Sequence, residues 1–189
     1  GHIPNTSQER FNYVFMKGDP AGNTIVRLLV FQSGSNEYET YGTLTLMMSG
    51  SIGVAVPGFL DSKPQIYLPF FDGNWWTVLM SRETSSIDIN QSNRYWVHVK
   101  SSPYIGVDGK EIVYQASASI TVSGSASSSF NNAWNIYNSS SNTHVMQIGR
   151  SASMSFQEFR YWIGSVSESS FNNHVKNRSS YVGNNPTSS

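Results

Sequence analysis

The sequence predicts an all-β protein, a sandwich of two antiparallel sheets with one short helix near the C terminus. Three observations carry it. Run after run alternates apolar and polar side chains with the two-residue period that sends successive residues to opposite faces of a strand. These runs are short, and clusters of Gly, Pro, Asp, Asn and Ser, residues that set or permit turn conformations, separate them. Helical spacing occurs only after Ser165, so two packed sheets account for the pattern better than strands alternating with helices.

Phe11, Tyr13 and Phe15 alternate with Asn12, Val14 and Met16 and predict a first strand, ended by the turn cluster Lys17-Gly-Asp-Pro-Ala-Gly22. From Thr24 to Gln32 the alternation is weak, with Val26, Leu28 and Val30 set against Ile25, Arg27, Leu29 and Phe31. A strand apolar on both sides suits cover on both faces, so this one should be central. Tyr41 to Met48 sets Thr43, Thr45 and Met47 against Leu44, Leu46 and Met48, and a hairpin with Ile52 to Val56 fits, closed by Pro57-Gly58. Gln65 to Phe71 is bounded by Pro64 and the turn dipeptide Asp72-Gly73; Pro69 cannot donate to a ladder, which puts this strand at an edge or stops it early. Trp75 to Ser81 and Arg94 to Lys100 are the next two strands. Glu111 to Val122 reads as a long strand with Ile112, Tyr114, Ile120 and Val122 on even positions and small Ala116 and Ala118 allowing close sheet packing. Ser123 to Ser129 and Ser139-Ser-Ser-Asn142 are loops, and long loops in sandwiches often carry binding residues.

Phe156 to Ile163 puts Phe156, Glu158, Arg160 and Trp162 on one face and Gln157, Phe159, Tyr161 and Ile163 on the other, which predicts a late strand inside a sheet. Ser165 and Glu168 have the spacing of a capping box, and Phe171 and Val175 fall one turn apart, so a short helix follows. This combination, with an upstream Ile148-Gly-Arg-Ser151 and a closing Gly183-Asn184, resembles the C-terminal signature of concanavalin A-like jelly-roll domains. It looks closest to the laminin G-like branch found in large viral and phage structural proteins. The pair Asn74-Trp-Trp-Thr-Val-Leu-Met80 and Arg94-Tyr-Trp-Val-His-Val-Lys100 is similar to the central strands of that family. The resemblance spans the chain as an architecture and implies a jelly roll located on a virion surface or otherwise extracellular. It speaks to fold more than to function, because one fold hosts many activities.

At 189 residues the chain has the size of one domain. Charged residues make up 13%, the formal net charge is zero and no basic run occurs, which excludes the electrostatic footprint of nucleic-acid binding and of an anionic membrane surface. Without cysteine, neither disulfides nor thiolate metal sites contribute. The longest apolar candidate, Ile25 to Phe31, is interrupted by Arg27 and far too short for a bilayer span, so no membrane insertion is expected. Gly1-His2 reads as a scar of tag cleavage and the last residues as linker; this predicts residues 1–10 as tag remnant and lead-in, 11–183 as the domain and 184–189 as linker of a longer protein. The four sequons at Asn5, Asn90, Asn138 and Asn177 are what chance yields in a chain so rich in Asn and Ser.

Hydrolases on this fold, as the resemblance implies, present carboxylates at alternate positions of one strand, because a glycosidic bond needs one carboxyl ionised and one protonated. Glu37-Tyr-Glu39 comes nearest but lacks the middle Asp, and Glu83 and Asp88 lie in a turn region. No enzyme is expected, with polysaccharide hydrolysis as a disfavoured alternative. His98, alone at ligand spacing and sharing its face with Trp96 and Lys100, reads as a packed or hydrogen-bonded strand residue, and His174 as a contact from the helix to the sheet. Glu158 and Arg160 read as members of cross-strand ion pairs. Calcium is common among laminin G-like and lectin relatives; Asp72 with Asn74, and Asp19 with Asn23, are the clusters with suitable oxygens, and each supplies one carboxylate. No cofactor is therefore expected, with calcium as the alternative.

Five tryptophans and ten tyrosines are more than a core of this size needs, and sugar rings stack on such surfaces while Asn and Ser give directional hydrogen bonds. Trp134 is the leading platform, because Phe130-Asn-Asn-Ala-Trp-Asn135 lies between the Ser-rich loops, with Asn131 and Asn132 as amide partners. In Trp75-Trp76 the alternation sends the rings to opposite faces, which leaves Trp76 as a second platform; Trp96 and Trp162 lie on faces that carry charge, and Trp96 joins the set. The expectation is a non-enzymatic module of a larger viral or phage surface protein, binding glycan or a cell-surface receptor beside neighbouring subunits. The alternative is a purely structural or protein-interaction domain.

Overall fold

A computed structural model describes residues 11–18, 24–32, 40–48, 64–84, 92–102, 111–123, 134, 145–149, 154–162 and 164–177. The described strands are β1 (Phe11–Gly18), β2 (Thr24–Gln32), β3 (Gly42–Met48), β4 (Gln65–Leu68), β5 (Trp76–Thr84), β6 (Ser92–Ser101), β7 (Tyr114–Ser123) and β8 (Val145–Ile148), and the helix α1 spans Glu168–Lys176. They form two antiparallel sheets, one of five strands in the order β4-β3-β2-β1-β8 and one of three in the order β5-β6-β7.

The alternation explains why the sheets face each other. Phe15, Val26, Leu28, Val30, Leu44, Leu46 and Ile66 from the larger sheet join Tyr95, Val97, Val99 and Ile120 from the smaller in one buried cluster. A fully buried side chain of this kind contributes about 1.5–3 kcal/mol, so the shared cluster is the main force between the layers. Ala116 and Ala118, across from Val99 and Val97, keep the sheets close, as their size predicts. β2 is the middle strand of the larger sheet, and Leu29 and Phe31 on its far side are buried too, the two-sided cover that its weak alternation implied.

β4 stops at Leu68, before Pro69, and sits at a sheet edge. The turn that follows is closed by Phe70 N–H to Leu68 C=O at 2.8 Å and by Asn74 N–H to Asp72 Oδ1 at 2.8 Å, with Gly73 at φ 81°. Gly42 opens β3 where a Cβ would come within 2.5 Å of the Phe71 ring and 2.8 Å of the Phe31 carbonyl oxygen, so the close approach requires glycine there.

Three expectations are corrected. Residues 154–162 form neither helix nor strand; the free side of β1 is taken by β8, an edge strand that went unrecognised in the sequence. The charges that suggested cross-strand pairing are satisfied locally, with Arg160 Nε donating to Glu158 Oε1 at 2.6 Å and Arg160 Nη1 2.5 Å from His174 Nδ1. The helix is present and buries Phe171, His174 and Val175, but its cap is Ser167, whose Oγ accepts from Ser170 N–H at 3.1 Å, and not Ser165. The expected partner of β3, Ile52 to Val56, lies outside the described residues, as do both Ser-rich loops apart from the end of β7.

Candidate functional site

Core burial of alternate residues leaves a second face on the three-stranded sheet. The pairing register aligns its side chains in rows: Thr77, Lys100 and Gln115; Leu79, His98 and Ser117; Ser81, Trp96 and Ser119; Glu83, Arg94 and Thr121. Directly opposed residues point to the same side, so each row is a set of neighbours.

One end of this face is covered by α1. Lys100 is buried and its Nζ donates to Glu168 Oε1 and to Asn172 Oδ1, the latter at 2.6 Å. Glu168 and Asn172 are one helical turn apart, so a single lysine grips the helix face. The Nζ also lies 5.2 Å from the Phe171 ring centre, and His98 meets Phe171 edge-on at 6.5 Å.

The other end reaches solvent. Trp96 is half-buried at the centre of a ladder: its ring stacks on His98 at 5.5 Å, the Arg94 guanidinium sits 5.5 Å from it, and Nε1 donates to Glu83 Oε2 at 3.1 Å. Arg94 Nε also donates to Thr121 Oγ1 at 3.4 Å, and no carboxylate among the described residues pairs with Arg94. Ser81 Oγ is 3.4 Å from His98 Nε2. Glu83, Arg94, Ser117 and Thr121 are exposed. Burial lowers the His98 pKa, the Glu168 carboxylate opposes that and Lys100 adds to it, so the imidazole is held neutral as a packing and hydrogen-bonding group. His174 is lowered in the same way, by burial and then by Arg160, against Glu158.

The remaining expected site residues lie elsewhere. Trp76 sits in a core-facing row, packed on Phe70 at 4.7 Å and Tyr114 at 5.7 Å, with its Nε1 buried and lacking a partner; Trp75 is the more exposed of the two. Trp134 packs against the core, 5.1 Å from the ring of the fully buried Tyr95. Asn131 and Asn132 lie outside the described residues, as do Glu37, Glu39, Asp88, Asp19 and Asn23. Asp72 uses both carboxylate oxygens on Asn74, one for its N–H and one for its Nδ2 at 2.8 Å, so the cluster closes on itself as a turn. Among the described residues no group of three or more His, Cys, Asp or Glu side chains converges. No described helix is long and apolar enough to cross a membrane.

Of the three expected ligand-binding residues that are described, Trp76, Trp96 and Trp134, Trp96 alone is placed in a solvent-reaching polar cluster. The partners that sequence reasoning missed are Arg94, Glu83, Ser81, Ser117, Ser119 and Thr121. Arg94 shares the alternation of Trp96 and was within reach; the others come from β5 and β7, and only the register brings them in. No family model, curated protein or solved structure matches the chain.

Proposed function

We propose that the protein is a non-enzymatic carbohydrate-binding module and that the outer face of the three-stranded sheet, centred on Trp96, is its site. The observation that carries the reading is the mixture around one indole: a guanidinium that no carboxylate among the described residues pairs with, a carboxylate, an imidazole and rows of hydroxyls. Sugars present apolar ring faces edged with hydroxyls, and this set offers donors and acceptors in every direction beside a flat apolar surface. Arg94 is the movable part. An exposed cation–π contact contributes about 0.5–1 kcal/mol, so a ligand can displace the guanidinium from the ring and gain its hydrogen bonds instead.

The face suits binding better than hydrolysis. A glycosidase sets two carboxyls about 5–10 Å apart across the bond, whereas here Glu83 is held by Trp96 and Glu168 by Lys100. Shallow sites of this kind bind in the millimolar range, about −4 kcal/mol, and become useful through multivalency. That fits a repeated domain of a larger viral or phage surface protein, at a virion surface or otherwise extracellular, as the family resemblance implies. The finer topology proposed is the jelly roll: β8 returns after the whole second sheet to lie beside β1, the order of a Greek key. The second reading, a structural or protein-interaction domain, has the exposed aromatics of residues 154–162 in its favour.

A glycan array followed by tryptophan-fluorescence titration of the best ligand tests the site. Trp96→Ala should abolish the titration and Arg94→Ala weaken it about tenfold, the effect of losing roughly 1.4 kcal/mol. Binding untouched by both substitutions sinks the proposal.

A further inference from the structure

Residues 154–162 belong to neither sheet, and side-chain contacts join them to the sandwich. The Phe159 ring stacks on the buried core residue Phe15 at 6.0 Å, with the ring planes 6° apart. Trp162 packs on His174 of α1 at 5.6 Å. Between these two, Arg160 sets Nη1 2.5 Å from His174 Nδ1 and 3.3 Å from Nε2, and its side chain is 12% exposed. Lys100 ties α1 to β6, so His174 is the fixed half of the contact, and residues 154–162, outside the sheet ladders, are the half that can move.

A guanidinium carries only N–H donors and keeps its charge at every pH a protein survives. It can meet Nδ1 only where that nitrogen presents its lone pair, so the imidazole is neutral with its proton on Nε2. A second proton removes the acceptor and leaves two cations in contact at a buried position, where water screens them little. Glu158, which accepts from Arg160 Nε, opposes this, but its side chain is 45% exposed and its field is correspondingly weakened. Of the other ionisable groups around α1, Lys100 is engaged by Glu168 and Asn172, Lys176 is exposed, and His98 meets Phe171. β5, which α1 also packs against, brings the uncharged Thr77 and Leu79 beside Lys100 and His98.

We propose that residues 154–162 form a latch that protonation of His174 opens: the Arg160 contact turns repulsive, and the stretch lifts from α1 and from Phe15. Opening uncovers the Phe15, Phe159 and Trp162 rings at one border of the sandwich, while the sheet ladders stay paired. Burial first and then Arg160 hold the His174 pKa below 6.5, against the pull of Glu158. The latch is therefore fully closed above about pH 6.5, and its closed-to-open ratio falls about tenfold for each pH unit between the open and closed values. It is independent of carbohydrate binding, because the Trp96 ladder shares no residue with it.

The full chain has no cysteine, so introduced cysteines can be labelled selectively. Nitroxides on the exposed positions Gln157→Cys and Asn173→Cys, one on each half of the latch, report closure as a distance measured by electron paramagnetic resonance. The distribution should be narrow at about pH 7.5 and broaden reversibly to longer distances at about pH 5, with an unchanged circular dichroism spectrum. His174→Gln keeps a neutral acceptor that does not titrate and should hold the narrow distribution at both pH values. Arg160→Gln leaves no cation for a charged His174 to repel, so its distribution should not respond to pH, and it decides the matter should the histidine variant misfold. His98→Gln should open as the wild type does. A wild-type distribution unchanged at acid pH overturns the proposal. So does a His174→Gln or Arg160→Gln protein that opens over the same pH range as the wild type, or an opening abolished by His98→Gln, which places the switch at the other histidine.

Discussion

Lys17 offers a sharp test of the packing, because it places an amine in the sandwich interior. It lies in the core-facing row of β1, directly across from Val26, and is 2% exposed. Burial lowers its pKa from 10.5 to about 8. In the unfolded chain the amine keeps its proton to about pH 10.4. Between about pH 8 and that value the unfolded state therefore binds more protons than the native state, and stability rises with pH. The difference between 10.5 and about 8, at about 1.36 kcal/mol per pH unit, caps the gain at about 3 kcal/mol. Tyr95 bends the curve back. Fully buried, with a hydroxyl that lacks a hydrogen-bond partner, it is pushed up to about 12, burial outweighing the opposing field of Arg82. Above about pH 10 an unfolded tyrosine ionises while the native one keeps its proton, so stability falls again. The expected profile is a rise from pH 8, a maximum close to pH 10 and a decline beyond. Lys17→Met keeps an unbranched side chain of similar length without the charge; it should erase the rise and preserve the decline. Urea midpoints followed by circular dichroism at stepped pH measure both. A wild-type profile flat or falling from pH 8 to 10, or a Lys17→Met protein that still shows the rise, refutes the placement of this lysine in the interior.

Two further substitutions examine local geometry. Gly42→Ala drives a methyl group into the Phe71 ring and the Phe31 carbonyl; overpacking of this kind costs about 1–3 kcal/mol, read as a melting temperature lowered by roughly 2–12 °C for a chain of this size, and an unchanged melting temperature would mean that the turn does not approach β3. Ser167→Ala removes the acceptor of Ser170 N–H; the loss of a cap costs about 0.5–2 kcal/mol, and hydrogen exchange should quicken at Ser170 and Phe171 while the β6 amides stay protected.

The legible parts of the fold were those in which one residue type has one physical consequence. Pro69 had to end β4, the weak alternation of β2 had to mean cover on both faces, and Phe171 with Val175 had to mark a helix face. The strand expected over 156–163 failed for a reason that alternation cannot reveal. A pattern of period two states that a segment could pair, while whether it does is decided by the whole sheet, and here β8 lies beside β1 while residues 154–162 join neither sheet. The site was less legible. Trp134, Trp76 and Trp96 looked alike as sequence, since each is an indole near polar residues. What separates them is the side of a sheet on which each ring falls and what stands opposite: Tyr95 beneath Trp134, Phe70 and Tyr114 around Trp76, and Glu83 with Ser119 beside Trp96.

That dependence on register makes the proposed site robust. A one-residue slip of β6 would expose Tyr95, Val97 and Val99, each at most 1% exposed, and would drive Arg94, His98 and Lys100 into the core. Withdrawing several large apolar side chains from the interior costs about 1.5–3 kcal/mol apiece, before the burial of two cations is counted. The same three residues that weld the two sheets together therefore hold the Trp96 ladder on the outer face, and Lys100, gripping Glu168 and Asn172, fixes where α1 stops covering it. A binding face built this way needs no loop to order it. Its hydroxyls and rings stand on rigid strands, so even a weak ligand meets a surface that loses little conformational freedom on contact.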